Sequence, residues 1–511
     1  MFFHCLEQSV GLAGLRFFYI FVKETRGFIY HKAVIVLWIL SAFQKVRKEM
    51  AINELKRGMS KRQVIFLALG SAIGTGLFYG SAQAIKLAGP SVLIAYCIAG
   101  LAIFMVMRAL GEMILHNPLP GSFARYAANY ISPLAGFLTG WTYVFEMILV
   151  GLADITAFAT YMGFWYPDVA PWVWALSITL IITGINLAAV EVYGELEFWL
   201  SSIKVIAIIA MIILGIAIIF WGWGGSVSSS TVTVHNLWKN GGLFPNGWFG
   251  FLACFSVVVF AFGGIEIIGM AVMEVQNPHQ TISKAINSTP VRILLFYVMT
   301  LAILMSLYPW NEIGLMNSPF VSIFENLGIS YAANILNIVV VTAAISAMNS
   351  GMYGACRMIH GLSQEGYALK KFQYLSKNGI PVFVILMIFV IFLLGAVLNY
   401  FYHEKLFFLI AAMATFATVF VWMMILLSQI FMRIKMPKEA QNGLSFPIPF
   451  WPIGSIFSIL FMVFIFILLW YFDETRPVLI VGISWIAWLI ICFYALKLYN
   501  LKQKEIVINK D

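Results

Sequence analysis

Apolar runs of about twenty residues recur along this chain, near 64–85, 91–115, 134–163, 170–189, 197–222, 247–273, 289–308, 331–362, 380–400, 405–432, 449–471 and 476–498. A helix needs about 20 apolar residues to cross the hydrocarbon layer of a bilayer. The pattern therefore predicts an all-α integral membrane protein of about twelve transmembrane helices. The third and eighth runs exceed one bilayer crossing, which predicts tilt or extension beyond the membrane. Two runs are interrupted. Gly70-Ser71-Ala72-Ile73-Gly74-Thr75-Gly76-Leu77-Phe78 sets three glycines and two hydroxyl residues in the heart of the first. Each glycine costs a helix about 0.8–1 kcal/mol relative to alanine. In the sixth run, Phe260-Ala261-Phe262-Gly263-Gly264-Ile265-Glu266 repeats the device and adds a carboxylate. Unwound backbone survives at membrane depth only where protein buries it or a watery cavity bathes it. A small-residue packing face is the plainer alternative for the first stretch, since Gly70/Gly74 and Gly76/Gly80 fit that spacing. Interrupted helices at matching positions of two five-helix halves point instead to an inverted-repeat transporter with a midplane site.

Composition agrees with the membrane reading. Of 511 residues, 62% are hydrophobic and 10% charged, with a mean hydropathy of +0.92, against about 25% charged in ordinary globular domains. The net charge of +9 lies in short clusters between apolar runs, a pattern that sets topology and does not suggest nucleic acid. One set of loops carries Lys56, Arg57, Lys61, Arg62, Arg125, Lys284, Arg357, Lys370, Lys371, Lys377, Arg433, Lys435 and Lys438, whereas the opposite set carries few, among them Lys86, Lys239, Lys405 and Arg476. The rich side is expected to be cytoplasmic, with both termini on it. The five cysteines show no metal spacing, and the histidines near loops show none either, so no metal site is expected. No phosphate-binding loop motif is present to suggest ATP-driven transport. Residues 1–49 fit neither a span nor a signal peptide. Met50-Ala51-Ile52-Asn53 reads as a bacterial start, so that extension is expected to be a start-site artefact or a dispensable interfacial arm. The membrane-spanning region is then expected to cover 50–500, with 501–511 a short cytoplasmic tail.

Four ionisable residues fall within the apolar runs: Glu146, Asp154, Lys204 and Glu266. Each costs about 2.5–3.5 kcal/mol at mid-helix on insertion scales, which makes it a functional candidate unless it sits in a structural pair inside the bundle. Glu146 and Asp154 are about 12 Å apart along a helix and face directions about 80° apart, so they need not serve one site.

The segments GSAIGTGLFYGS (70–81), AGPSVLIAYCIAG (88–100), MRALGEM (107–113) and FAFGGIEIIG (260–269) resemble the amino acid–polyamine–organocation superfamily, in its bacterial amino acid permease branch. The resemblance runs from about Glu54 to Leu498. Within the branch, GWTYVFEMILVGLADITAF (140–158), YGELEFW (193–199) and IHGLSQEGYA (359–368) resemble the proline-specific permeases. It implies a LeuT-like five-plus-five core with broken helices 1 and 6 and two added helices. It also implies proton-coupled import of an amino acid through a bacterial inner membrane, with no cofactor and no obligatory protein partner. Proline leads as substrate; histidine and other neutral amino acids are alternatives.

A broken helix offers a complement to each end of an amino acid. Thr75, Gly76 and Leu77 begin the new half-helix, where free N–H groups and the positive dipole end suit a carboxylate. Glycine at 74 and 76 would let backbone approach the ligand. The carbonyls of Ser71, Ala72, Phe260, Ala261 and Phe262 would accept from the ammonium. By resemblance, Lys204 stands where sodium-coupled cousins hold their ion, and Glu266 matches a glutamate after the second break; both are candidates for proton coupling. Glu146 is a candidate for specificity, able to meet an imidazole if the substrate were histidine, and Asp154 for specificity or structure. Phe260 and Phe262 are candidate gates, with packing the plainer alternative. Glu112 and Arg125 are expected to be structural or gate charges. The rival classes are an exchanger without proton coupling and a nutrient sensor, against which the short tail weighs. A membrane enzyme would need a clustered nucleophile and base that the sequence lacks.

Overall fold

The computed structural model describes residues 60, 62–63, 65–66, 70 and 73–508, except 120, 188–189, 222–231, 272–277, 314–317, 328 and 377–378. The extension at 1–49 and the expected site residues Ser71 and Ala72 lie outside the described residues. Among those described the chain is helical, with no β-strand. We number the principal helices α1 (Ser81–Ala88, entered through a π-turn over Gly76–Gly80), α2 (Val92–His116), α3 (Pro133–Gly163), α4 (Pro171–Asn186) and α5 (Val190–Trp221). Then follow α6 (Gly247–Phe260), α7 (His279–Leu307) and α8 (Ser330–Gln364). One continuous helix, Val382–Lys435, contains α9 (Val382–Phe401) and α10 (Leu406–Lys435). The last two are α11 (Ile453–Tyr471) and α12 (Arg476–Tyr499), whose backbone helix runs on to Ile508.

Nine runs among the described residues are long and apolar enough to cross a membrane, fewer than the twelve expected. The difference has three sources. α1 and α2 join through the tight Gly89–Ser91 turn into one run, Gly76–His116. α4 has 16 residues, and α6 stops at Phe260 where the helix breaks.

α3 is the central helix, packed against α4, α8 and the Val382–Lys435 helix. Its span is 83% buried, whereas that of α12 is 22% buried and so lies at the periphery. α5 is two-faced. Ile203, Ile206, Ile209 and Ile213 are exposed, as a lipid-facing stripe should be, whereas Glu197, Ser201, Lys204 and Ile208 are buried on the opposite face. Polar groups inward and apolar groups outward is the arrangement that lipid imposes.

Charges hold one end of the bundle. Buried Glu112 of α2 accepts from Arg433 Nε at 2.7 Å and Nη2 at 2.6 Å, from Gln429 at 2.9 Å and from the Ile448 N–H at 2.6 Å. A bidentate, fully bonded carboxylate of this kind is among the stronger polar contacts available. It ties α2 to α10 and to the segment before α11. Arg125 pairs with Glu365 at 2.5 Å.

Candidate functional site

Helical geometry is interrupted at Ile73–Gly74. The Ile73 N–H donates to Gly70 O at 3.1 Å, and the N–H groups of Leu77 and Phe78 converge on Gly74 O at 3.2 and 3.4 Å. Shared bonds of this kind are common at a helix terminus, and the π-turn over Gly76–Gly80 follows. Of the three N–H groups expected to meet a carboxylate, that of Leu77 is thus bonded within its own turn, and its side chain is fully buried.

The second interruption spans Ala261–Glu266, after which Ile267–Ala271 is helical again. Gly264 takes φ +91°, a conformation that L side chains rarely adopt. The three carbonyls expected to receive an ammonium each accept one bond already. Phe260 O takes the Gly263 N–H at 3.0 Å, Ala261 O takes Tyr297 Oη at 2.8 Å, and Phe262 O takes the Ile265 N–H at 3.4 Å.

The two breaks meet. A Cβ on Gly76 would lie 2.5 Å from Ala261 Cα, so this glycine permits backbone-to-backbone contact between the interrupted helices, where the sequence suggested approach to a ligand. Gly74 has ordinary room, its nearest neighbour being Ala347 Cβ at 3.6 Å. Between the breaks lies a cavity of about 30 Å³, walled by Gly74, Thr75, Asp154, Phe260 and Ser350 among others. That is room for roughly two waters. Gly76 and Ala261 also line it, but Leu77 and Phe262 do not. Phe262 packs instead against Tyr297 and Tyr96, with ring centroids at 4.7 and 5.8 Å. Phe260 stands at the wall, edge-on to Phe407.

The ionisable candidates divide into three groups. Lys204 Nζ donates to Gly70 O at 2.7 Å, Ile73 O at 3.1 Å and Ser346 Oγ at 2.9 Å. A cation on the last carbonyls before a helix break complements the negative dipole end. Ser346 Oγ donates in turn to Glu197 Oε1, which also accepts from Ser201 at 3.1 Å. Glu197 is 1% exposed and was not among the sequence candidates. Its signal was there: Glu197, Ser201 and Lys204 fall at i, i+4 and i+7, one face of a helix.

Asp154 goes elsewhere. Thr75 Oγ1 donates to its Oδ1, while Oδ2 has no hydrogen-bond partner among the described residues. Glu146 and Glu266 form the third group, both fully buried. Thr418 Oγ1 donates to Glu146 Oε1 at 2.6 Å, and Trp422 Nε1 to Glu266 Oε2 at 3.0 Å. Thr418 and Trp422 are one turn apart on α10, which brings the two carboxylates to one stretch of that helix. The remaining oxygen of each has no partner among the described residues. The angular offset of Glu146 from Asp154 is expressed as different partners on different helices.

The family model for amino acid permeases matches residues 63–505. The chain is 46% identical over 443 residues to the uncharacterized amino acid permease YtnA of Bacillus subtilis, covering 86% of this chain and 95% of that one. It is 40% identical to the probable threonine/serine transporter YbxG of Bacillus subtilis, over 87% and 96% of the two chains. It is 43% identical to the aromatic amino acid transport protein AroP of Salmonella typhimurium, over 82% and 90%.

Proposed function

This chain belongs to the amino acid permease family, and on that premise we propose that it imports a neutral amino acid, proline first, together with protons across a bacterial inner membrane. It is a multi-pass membrane transporter. The observation that carries the finer reading is that both helix breaks wall one cavity, Gly74, Thr75 and Gly76 from one side and Phe260, Ala261 and Gly263 from the other. Transport proceeds by alternating access in a LeuT-like five-plus-five core, with both termini cytoplasmic. The cavity is too small for an amino acid as it stands, so the breaks part to admit one. Thr75 and Gly76 offer N–H groups to the substrate carboxylate, and Lys204, with Glu266, couples the proton.

Met147, Val150, Ile267 and Ala347 make the rest of the wall largely apolar, which suits the proline ring. A second reading, threonine or serine, draws on Ser350, whose buried hydroxyl lines the cavity with no partner among the described residues, and on the substrates for which YbxG is named. Histidine is less well served, because Glu146 is not among the lining residues.

The test is uptake of labelled proline into proteoliposomes, with and without an inward proton gradient, with each common amino acid as competitor. Gradient-stimulated uptake blocked mainly by proline is the expected result. Competition by threonine and serine against a control substrate, with no proline uptake, transfers the substrate to the second reading. Uptake that needs internal amino acid and ignores the gradient makes the protein an exchanger.

A further inference from the structure

The cavity between the breaks has one ionisable side chain among its described lining residues, Asp154. It projects from the face of α3 that also supplies Met147 and Val150 to the wall, and it is 1% exposed. Oδ1 is held by the hydroxyl of Thr75, the residue at the first break, which fixes the carboxylate beside the cavity. Oδ2 is buried and has no hydrogen-bond partner among the described residues.

Each described carbonyl that could compete already carries at least one donor, which leaves it at most a single neutral lone pair. The carbonyls of Phe260, Ala261 and Phe262 each take a donor, and Gly70 O and Ile73 O take Lys204. Lys204, the cation that interacts electrostatically with Asp154, directs its hydrogen bonds to those carbonyls and to Ser346. Ser350, the other lining group without a partner, is a neutral hydroxyl. A positive group entering the cavity therefore meets one carboxyl oxygen that carries no donor among the described residues.

We propose that Asp154 receives the substrate's ammonium, held in position by Thr75. The inference rests on the reading of this cavity as the amino acid site. Hydrogen bonds between ionised partners are roughly twice as strong as neutral ones, and a buried carboxylate short of donors is costly until a cation reaches it. Binding and neutralisation of Asp154 then occur together. The site demands a protonated primary or secondary amine at the α-position and discriminates against the same skeleton with oxygen in place of nitrogen. The primary ammonium of serine and the secondary ammonium of proline both satisfy it, so the inference does not depend on which of them is carried.

The experiment measures affinity of the purified full-length protein for two matched pairs: L-proline against tetrahydrofuran-2-carboxylate, and L-serine against glycerate. In each pair the amine alone is replaced. The unaltered protein is expected to favour the amino acid of its productive pair by about 100-fold or more, the scale on which buried polar sites reject partners lacking the matching group. In Asp154→Asn the amino acid weakens by about the same factor and the oxygen analogue by less than about threefold, so the ratio collapses. If Asp154→Asn weakens both members equally, the role is structural and the inference is overturned; unchanged amino acid affinity overturns it too. Should Asp154→Asn fail to fold, Asp154→Glu keeps the charge and is expected to keep the ratio; a ratio near one in Asp154→Glu overturns the inference. If the unaltered protein binds no amino acid, the reading of the cavity falls and takes this inference with it. If it binds one and the ratio ignores Asp154, only this inference falls.

Discussion

Two buried charged regions flank the helix breaks and differ in how completely they are bonded. Around Lys204 the bonding is complete: an ammonium has three donors, and the three find Gly70 O, Ile73 O and Ser346 Oγ. Glu197 accepts from Ser201 and Ser346 on one oxygen, with Asn349 at 3.5 Å from the other. Around Glu146 and Glu266 the bonding stops halfway: among the described residues each carboxylate has one side-chain donor and one oxygen without a partner. Leaving a buried polar group unbonded costs about 1–3 kcal/mol, more if it is charged. The Lys204 cluster is therefore built to hold the first break, through Gly70 O and Ile73 O, against α5 and α8. The carboxylate pair has acceptor capacity in reserve for a proton, which would convert one oxygen to a donor, or for rearrangement when the breaks part.

The largest expected effect is in the complete cluster. Lys204→Met removes three bonds and leaves Glu197 without its counter-charge; breaking a buried pair on one side costs about 3–5 kcal/mol. Thermal unfolding in detergent should show a large fall, and gradient-driven uptake should be lost. The double variant Lys204→Met/Glu197→Gln should recover much of the stability and none of the coupled uptake. Stability unchanged in the single variant would break the comparison at its stronger end. Ser346→Ala sharpens it with a smaller change, because the hydroxyl bridges Lys204 and Glu197 without carrying charge. Side-chain hydrogen bonds between membrane helices average about 0.6 kcal/mol and reach about 1.7. Ser346→Ala should fall near the upper figure in the same unfolding measurement, since both of its partners are ionisable.

The sequence disclosed these regions unequally. Lys204, Glu146 and Glu266 stand out as charges inside apolar runs, and the glycines mark both breaks. Glu197 escaped because it lies at the first residue of its run, where a charge is ordinary; only its spacing to Ser201 and Lys204 betrays it. Thr418 and Trp422 could not be paired with their carboxylates from sequence, because those contacts join residues 272 and 156 positions apart. The same limit applies to Gly76, whose contact with Ala261 is tertiary, and to Phe262, whose rings of contact come from α2 and α7. Periodicity reports which face of a helix is apolar; it does not report what that face meets. The count of spans suffered from a related blindness, since a hydropathy run through 247–273 hides the break at Ala261 that ends α6.

The smallest expected effect on stability lies in the carboxylate pair, and there the comparison is most exposed. Glu146→Gln and Glu266→Gln each keep an acceptor oxygen for Thr418 or Trp422 and replace the unpartnered oxygen with an amide donor. Each should unfold within about 1 kcal/mol of the unaltered protein, because each keeps the acceptor of its one side-chain hydrogen bond. Their effect should appear in transport, as a changed pH dependence of uptake. Because both carboxylates abut one turn of α10, the double variant should differ from the sum of the singles, as neighbouring groups in one network do. Additive pH profiles would mean that the two carboxylates act separately. A stability loss as large as that of Lys204→Met would reverse the contrast, for it would mean that this pair is held as firmly as the Lys204 cluster. An unaltered pH profile in both singles would leave the pair with a packing role, and the proposed proton coupling would then rest on Lys204 alone.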